Sequence, residues 1–444
     1  KGENALGEAV KLSFDELGNL STITDPDGIS STFQYNNRGN IVEIADALRQ
    51  TTKFTYTRNL NRLASVTDAK GNRSNYDYDD NGNLNSITYP DGSSEIWVYD
   101  AKGNPTAWTN RRGKGVHFTY DSDGNITGKT YSDGSQVSYA YDNRNNLTQA
   151  VDKSGTTTFI YDANDYLVRI DYPNNRWLSF TYDTVGRRSS SSDQLGYTIN
   201  YYYDNGGRLS RISDGTTDIV SYDYDLVGRL DRKTMGNGVY TTYSYDAAGR
   251  LLSLVNYTPN NQELSRFVYT YDRRSRRTSM TTNYGKWTYS YDDIGQLVHA
   301  VLVSADAAIP NQDIVYQYDQ LGNRTKVITN GNSESYDSNN LNQYTKVGDR
   351  TYTYDADGNL IEESGADGTT TYTYNDDNRL VGISKDTDNW EYTYDALGNR
   401  VAVDENGSTT HYVVDPVGLG DVVGEYDTSG NLVARYNHGI GLLS

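Results

Sequence analysis

The chain has 444 residues, a formal net charge of −19 and no cysteine, with 42 Tyr and 41 Gly against only 7 Phe and 2 Met. The charge opposes nucleic acid, anionic lipid and sulfated glycans as partners, since each would meet long-range repulsion. The absent thiols exclude a disulfide framework and a thiolate metal site, and the scarcity of aliphatic material leaves tyrosine to supply much of the packing.

One unit recurs along the chain, typified by Phe118-Thr-Tyr-Asp-Ser-Asp-Gly-Asn-Ile126. Side chains at i and i+2 of a strand share a face, so Phe118 and Tyr120 stand together while Thr119 faces the other way. Asp121 and Gly124 supply a side-chain acceptor and a residue able to adopt positive φ, which is reversing-turn chemistry. Ile126 opens the return strand. With the second aromatic as marker, copies fall at Phe14, Tyr35, Tyr56, Tyr78, Tyr99, Tyr120, Tyr141, Tyr161, Tyr182, Tyr203, Tyr224 and Tyr245. The period of roughly 21 residues fits two short strands and two turns, so each repeat is one hairpin and its link to the next.

The turn after each marker is the near turn. Far turns lie between markers, as in Asp25-Pro-Asp-Gly28, Pro90-Asp-Gly92, Asp133-Gly134, Pro173-Asn-Asn175 and Asp214-Gly215. Residues 1–255 form the regular part. In 256–347 the repeats loosen: markers fall at Tyr271, Tyr291 and Tyr318, and the extra residues in Val255–Arg266 and Leu302–Asp313, with Pro259 and Pro310, are expected to be loops. Tyr336-Asp-Ser-Asn-Asn-Leu341 is read as a degenerate copy that keeps its Tyr-Asp start. Regular units return over 348–410, at Tyr354, Tyr374 and Tyr394, and 411–444 is a divergent terminal repeat. The expectation is a single all-β segment over 1–444: a continuous antiparallel meander which, at about 40 strands spaced roughly 4.8 Å apart, must coil.

In its repeated Tyr-Asp-x-x-Gly-Asn/Arg-Leu/Arg, as in Tyr224-Asp-Leu-Val-Gly-Arg-Leu230 and Tyr394-Asp-Ala-Leu-Gly-Asn-Arg400, the chain resembles RHS proteins built from YD repeats. The resemblance covers essentially the whole length. It implies a hollow spiral β shell, as in bacterial RHS toxins, the B and C subunits of insecticidal toxin complexes, and teneurins. In the bacterial members the shell encloses a C-terminal toxin polypeptide. The chain departs from the toxin pattern in showing no plug rich in Arg-Tyr-Tyr-Asp after the repeats. Asp415-Pro-Val-Gly-Leu419 matches the letters of the family's autoproteolytic site, but another repeat, Tyr426–Leu432, follows it, and the reading taken is a wide turn.

No catalytic, cofactor-binding or metal residues are assigned. Asp121-Ser-Asp-Gly-Asn125 and Asp355-Ala-Asp-Gly-Asn359 begin like calcium loops but lack the bidentate Glu, and turn chemistry explains both. His117, His299, His411 and His438 share no motif. Trp97, Trp108, Trp177, Trp287 and Trp390 are candidates for stacking on sugars, although Trp97 occupies a ladder position. The basic islands Asn110-Arg-Arg-Gly-Lys114 and Arg273-Arg-Ser-Arg-Arg277 read as solvated turns, with contact to an acidic neighbour as the alternative. The functional expectation is a non-enzymatic shell or scaffold segment of a large exported bacterial protein, without cofactor, extracellular or at the cell surface. Its expected partner is a cargo polypeptide or the remainder of the same parent chain. Other partners weighed are a protein or glycan surface and a second copy pairing through sheet edges. Nucleic acid is not expected, nor is membrane insertion, since no 18-residue apolar run and no basic-then-apolar leader occurs. The alternative is a carbohydrate-binding or carbohydrate-active protein using a Tyr/Trp-rich surface.

Overall fold

A computed structural model describes residues 2–417 and 421–443. Apart from one short 3-10 turn at Pro173–Asn175, the regular structure among the described residues is entirely β, with 44 strands, 42 of them in one antiparallel sheet and two in a small two-stranded one. Two compact units are formed. Unit 1 comprises Lys1–Glu95 and Val239–Tyr352, and unit 2 comprises Ile96–Gly238 and Thr353–Ser444. Each therefore has two arms taken from distant parts of the chain, and within a unit consecutive strands pair in chain order.

The repeat is built as its residues dictate. In the strand Gly115–Tyr120, Phe118 and Tyr120 are half-buried and Thr119 is exposed. The Asp121 carboxylate accepts the backbone N–H of Asp123 (3.0 Å) and of Asn125 (2.9 Å), while its second oxygen accepts the Asn125 amide (2.9 Å). Gly124 closes the turn at φ 91°, a conformation that costs an L side chain energy. Where Arg replaces Asn at the fifth turn position, the same bond persists: Arg187, Arg208 and Arg229 each donate to the turn aspartate at 2.7 Å. The guanidinium groups of Arg187 and Arg208 then lie over Tyr203 and Tyr224, 4.3 and 4.5 Å from the ring centres.

One further bond joins many repeats to their predecessors. Thr119 pairs with Gly128 but Tyr120 with Ile126, so Thr127 bulges from the ladder. On the other side, pairing with the next strand ends at Gly128–Ser138, short of Ile126. The Ile126 carbonyl instead accepts the hydroxyl of Tyr141 at 3.1 Å, 15 residues on. The same link runs from Tyr56 to Ile41, Tyr78 to Leu63, Tyr120 to Pro105, Tyr182 to Leu167, Tyr203 to Arg188 and Tyr224 to Leu209.

Two local expectations are corrected. The extra residues of 255–266 and 302–313 lengthen strands as well as loops. Val255, Asn256 and Tyr257 pair with Arg266, Ser265 and Glu263, leaving a turn over 258–262, and Leu302 pairs with Gln312. Apolar and β-branched residues favour continued pairing there, and both prolines are confined to the connections. At 336–341 the register differs by two residues. Asn339 plays the turn aspartate, accepting the N–H groups of Leu341 and Gln343, so Tyr336 is the first aromatic and Ser338 stands at the marker position. The bulge at Asp337/Ser338 confirms it.

The principal apolar core lies in unit 2. Ala150, Phe159, Ile170, Leu178 and Phe180 of the first arm are buried against Ala396, Val413 and Tyr426 of the second. A smaller cluster of Ile212, Val220 and Tyr222 receives Leu443.

Tyr120→Phe, which removes a 2.7 Å bond and strands a carbonyl, is expected to cost about 1 kcal/mol in urea unfolding, whereas Thr119→Val on the exposed face should stay within about 0.5 kcal/mol. The turns also set an acid limit. Asn side-chain hydrogen bonds, then backbone N–H groups, hold Asp79, Asp121 and Asp142 below the ordinary carboxylate value. The unfolded chain then binds protons at a higher pH than the folded one, so stability is full above about pH 4 and is lost as pH falls below it. Urea midpoints at pH 7 and at pH 3 test this, and equal midpoints would contradict it.

Candidate functional site

Within each unit the far turns of the first arm meet the near turns of the second. In unit 1, Glu8, Lys70 and Pro90 reach partners 242, 249 and 250 residues away. Arg274 pairs with Asp25 at 2.8 Å, and Lys70 with Asp319 at 3.0 Å and with the Ser338 hydroxyl at 3.2 Å. Arg250 holds its own turn aspartate, Asp246, at 2.6 Å and Glu8 of the opposite arm at 3.4 Å. With roughly 21 residues per repeat, the strip returns on itself after about twelve repeats.

In unit 2 the clasp centres on Arg112. Its guanidinium bonds to Asp357, lies 3.5 Å from Asp355, and donates to the carbonyl of Asn375 (2.6 Å) and the side chain of Asn378 (2.9 Å). The Asp357 side chain is 1% exposed. The position that suggested a cation loop thus receives the protein's own cation. Tyr131 donates to Asp377 at 2.7 Å, and burial, followed by this bond, raises its pKa. The Asp152 carboxylate accepts the Ala396 N–H at 2.6 Å, and Tyr139 donates to the Ala396 carbonyl at 2.6 Å. Burial raises the pKa of Asp395, with the charge of Asp152 adding to it. Both basic islands therefore place arginines in these clasps, which corrects the reading as solvated turns.

The terminal repeat docks by the same means. Arg188 occupies the position that Ile126 holds in the Phe118–Ile126 repeat, and there its guanidinium covers Phe180 at 4.1 Å and forms a forked bond to Asp415. Burial works against the Arg188 charge, but the bond to Asp415 and its attraction outweigh burial and raise the pKa. Tyr172 donates to the Val414 carbonyl at 2.6 Å, and Arg435 pairs with Asp193 at 2.9 Å. Asp415 accepts the Val417 N–H at 3.0 Å, as other turn aspartates do. Gly418 and Leu419 of the Asp415–Leu419 motif lie outside the described residues. A cavity of about 170 Å³ lies here between Arg188, Asp193, Tyr201, Asp415, Asp421 and His438. A larger one, about 1090 Å³, opens between the arms of unit 2 near Lys114, Asp377, Trp390 and Tyr392.

The other candidates are dispersed. His117 is exposed, His299 pairs with Asp313 at 2.8 Å, and His438 meets the Val422 carbonyl at 2.8 Å. Burial, then Arg176, lowers the pKa of His411. Among the described residues no group of three or more His, Asp or Glu side chains is placed to hold a metal ion. Trp97 pairs in register with Trp108, Trp177 lies under Arg169 at 4.5 Å, and Trp287 stacks with Tyr289. For Arg112 the alternative reading of its basic island, contact with an acidic neighbour, is the one observed, whereas sequence reasoning missed Arg188. For Arg188 a signal existed, an arginine at an aliphatic repeat position.

Comparison with known proteins agrees with this architecture. Residues 93–190 match the family described as teneurin YD-shell, and 14–52, 56–94, 354–389 and 374–410 match the RHS repeat family. No curated protein sequence matches. Crystal structures of TcdB2-TccC3-TEV and TcdB2-TccC3-Cdc42 are similar at 15% identity, with TM-scores of 0.66 and 0.68 over 99% and 98% of this chain, a likeness of fold. The chain spans 31% and 30% of those two chains.

Arg112→Ala leaves the buried Asp357 without its cation and is expected to destabilise unit 2 by about 3–5 kcal/mol. Arg144→Ala, which breaks an exposed pair with Asp165, should cost less than about 1 kcal/mol. Denaturant unfolding of the two variants, side by side, checks the contrast.

Proposed function

Taking as premise that the chain is a YD-repeat protein of RHS type, we propose that it is a non-enzymatic shell segment of a large exported bacterial polypeptide that encloses a cargo carried by the same parent chain. The observation that carries this reading is the fate of the polar residues. The turn aspartates, asparagines and arginines bond within their own turn, and the arginines that break the repeat pattern are bound to the opposite arm. Such a chain spends its chemistry on a continuous wall. The strip's return after about twelve repeats supports enclosure, because a coiled sheet has an inside. Names among the similar structures join TccC3 to TEV or Cdc42, and one specifies the absence of a hypervariable C-terminal region. A variable passenger beside a constant wall is the arrangement proposed here. Function at a cell surface is compatible with the same wall, and both imply an extracellular setting.

A second reading has one observation in its favour. The 1090 Å³ cavity brings Trp390 and Tyr392 near Asn375, Asn389 and Asp377, a mixture of rings and polar groups suited to a saccharide. A glycan array against the wild type and Trp390→Ala decides it, and no binding by either removes it.

Protease protection tests the shell reading. In the parent polypeptide the cargo should resist a protease that digests it freely when expressed alone. Arg112→Ala with Arg188→Ala should restore digestion. Cargo cut equally fast with the wall intact would refute enclosure.

A further inference from the structure

The two units join their arms by different means. In unit 1 the seam is ionic and polar. Arg250 meets Glu8 at 3.4 Å, Arg274 meets Asp25 at 2.8 Å, Arg276 meets Asp27 at 3.9 Å and Lys70 meets Asp319 at 3.0 Å, while the Asn340 amide donates to the Pro90 carbonyl at 3.0 Å. These charged side chains keep 12–35% of their surface in water. Among the described residues, the buried apolar side chains of unit 1 are Tyr240, Tyr269, Ala300 and Leu302, all in its second arm, and the one buried side chain of its first arm is Ser65.

Unit 2 is joined through its interior. Ala150, Phe159, Ile170, Leu178 and Phe180 of its first arm form one buried cluster with Ala396, Val413 and Tyr426 of its second. Its ion pairs lie deeper too, with the Asp357 side chain 1% and the Asp415 side chain 9% exposed. Salt separates the two kinds of seam. Raising ionic strength from about 0.1 M to about 1 M shortens the Debye length from about 10 Å to about 3 Å, which weakens pairs that touch water and leaves apolar burial intact. Strands pair with their neighbours in sequence, so parting the arms breaks no ladder. The seam of unit 1 runs past the near turns that begin at Asp246, Asp272, Asp292, Asp319 and Asn339, and at roughly 9.6 Å per hairpin it is about 40 Å long, ample for an extended polypeptide.

We propose that the seam of unit 1 is an ionic latch: its arms part and reclose as intact sheets while those of unit 2 stay joined, and the parted seam is where the cargo passes the wall as an extended chain. The passage rests on the enclosure reading, whereas the latch itself rests on the contrast between the two seams. Lys70 and Arg274 are its movable bolts, because each reaches across the seam without holding the aspartate of its own turn.

Since the chain has no cysteine, spin labels can be placed across each seam, on Ala69→Cys with Gln320→Cys in unit 1 and on Lys153→Cys with Leu397→Cys in unit 2. Between about 0.1 M and about 1 M NaCl the unit 1 distance should lengthen and broaden, and the unit 2 distance should stay fixed. Lys70→Ala with Arg274→Ala should lengthen the unit 1 distance already at low salt. A unit 1 distance that ignores both changes, or a unit 2 seam that parts first, overturns the latch and leaves enclosure standing. The passage is tested in the parent polypeptide by joining Lys70→Cys to Ser338→Cys with a short bismaleimide. High salt should expose the cargo to protease in the unjoined protein and not in the joined one. Cargo exposed equally in both overturns the passage, and cargo already cut freely at low salt overturns enclosure instead.

Discussion

The structure depends on a carbonyl that the sheet cannot satisfy by itself. At each near turn the bulge takes the return strand out of register, and the ladder to the next repeat stops short of the residue that opens that strand. A half-buried carbonyl without a donor would cost one to a few kcal/mol, on the order of what a repeat can contribute. In many repeats the marker tyrosine closes the gap from 15 residues away. A phenylalanine there fills the same volume without reaching the oxygen, which is a physical reason for a chain with 42 Tyr and 7 Phe.

Around that bond the repeat tolerates exchange where chemistry is equivalent. Asn125 and Arg187 differ in size and charge, yet both deliver an N–H to the second oxygen of the turn aspartate. The arginine also covers the next tyrosine, so one position serves the turn, the ring and, in Arg250, the opposite arm. Functions that a globular domain distributes over a core are here assigned to single side chains at fixed places in a tile.

Legibility in the sequence follows distance. The hairpin, its turn aspartate and the glycine at φ 91° are contained in nine consecutive residues, and all are readable from Phe118–Ile126. The register at 336–341 is not, because Asn339 substitutes for aspartate while Tyr336-Asp337 imitates a turn start in the wrong place. The strands of 255–266 read as loops only while proline carries more weight than the flanking β-formers. Least legible are Arg112 and Arg188. Their partners lie 245 and 227 residues away, and no local pattern encodes which turn will lie above another. Only a residue out of keeping with its repeat position betrays such a contact.

That separation has a kinetic consequence. Each hairpin closes over about twenty residues, so its entropic cost is small and regained at once, and folding can begin at any repeat. A clasp between Arg112 and Asp357 closes a loop of 245 residues with a few side chains, far too little to form ahead of the strip. The clasps therefore close late, and only if every intervening repeat has the correct twist and count. A missing repeat would leave each hairpin intact yet bring later turns of the same unit to the wrong neighbours, so the spacing of the clasps acts as a length gauge on the sequence between them.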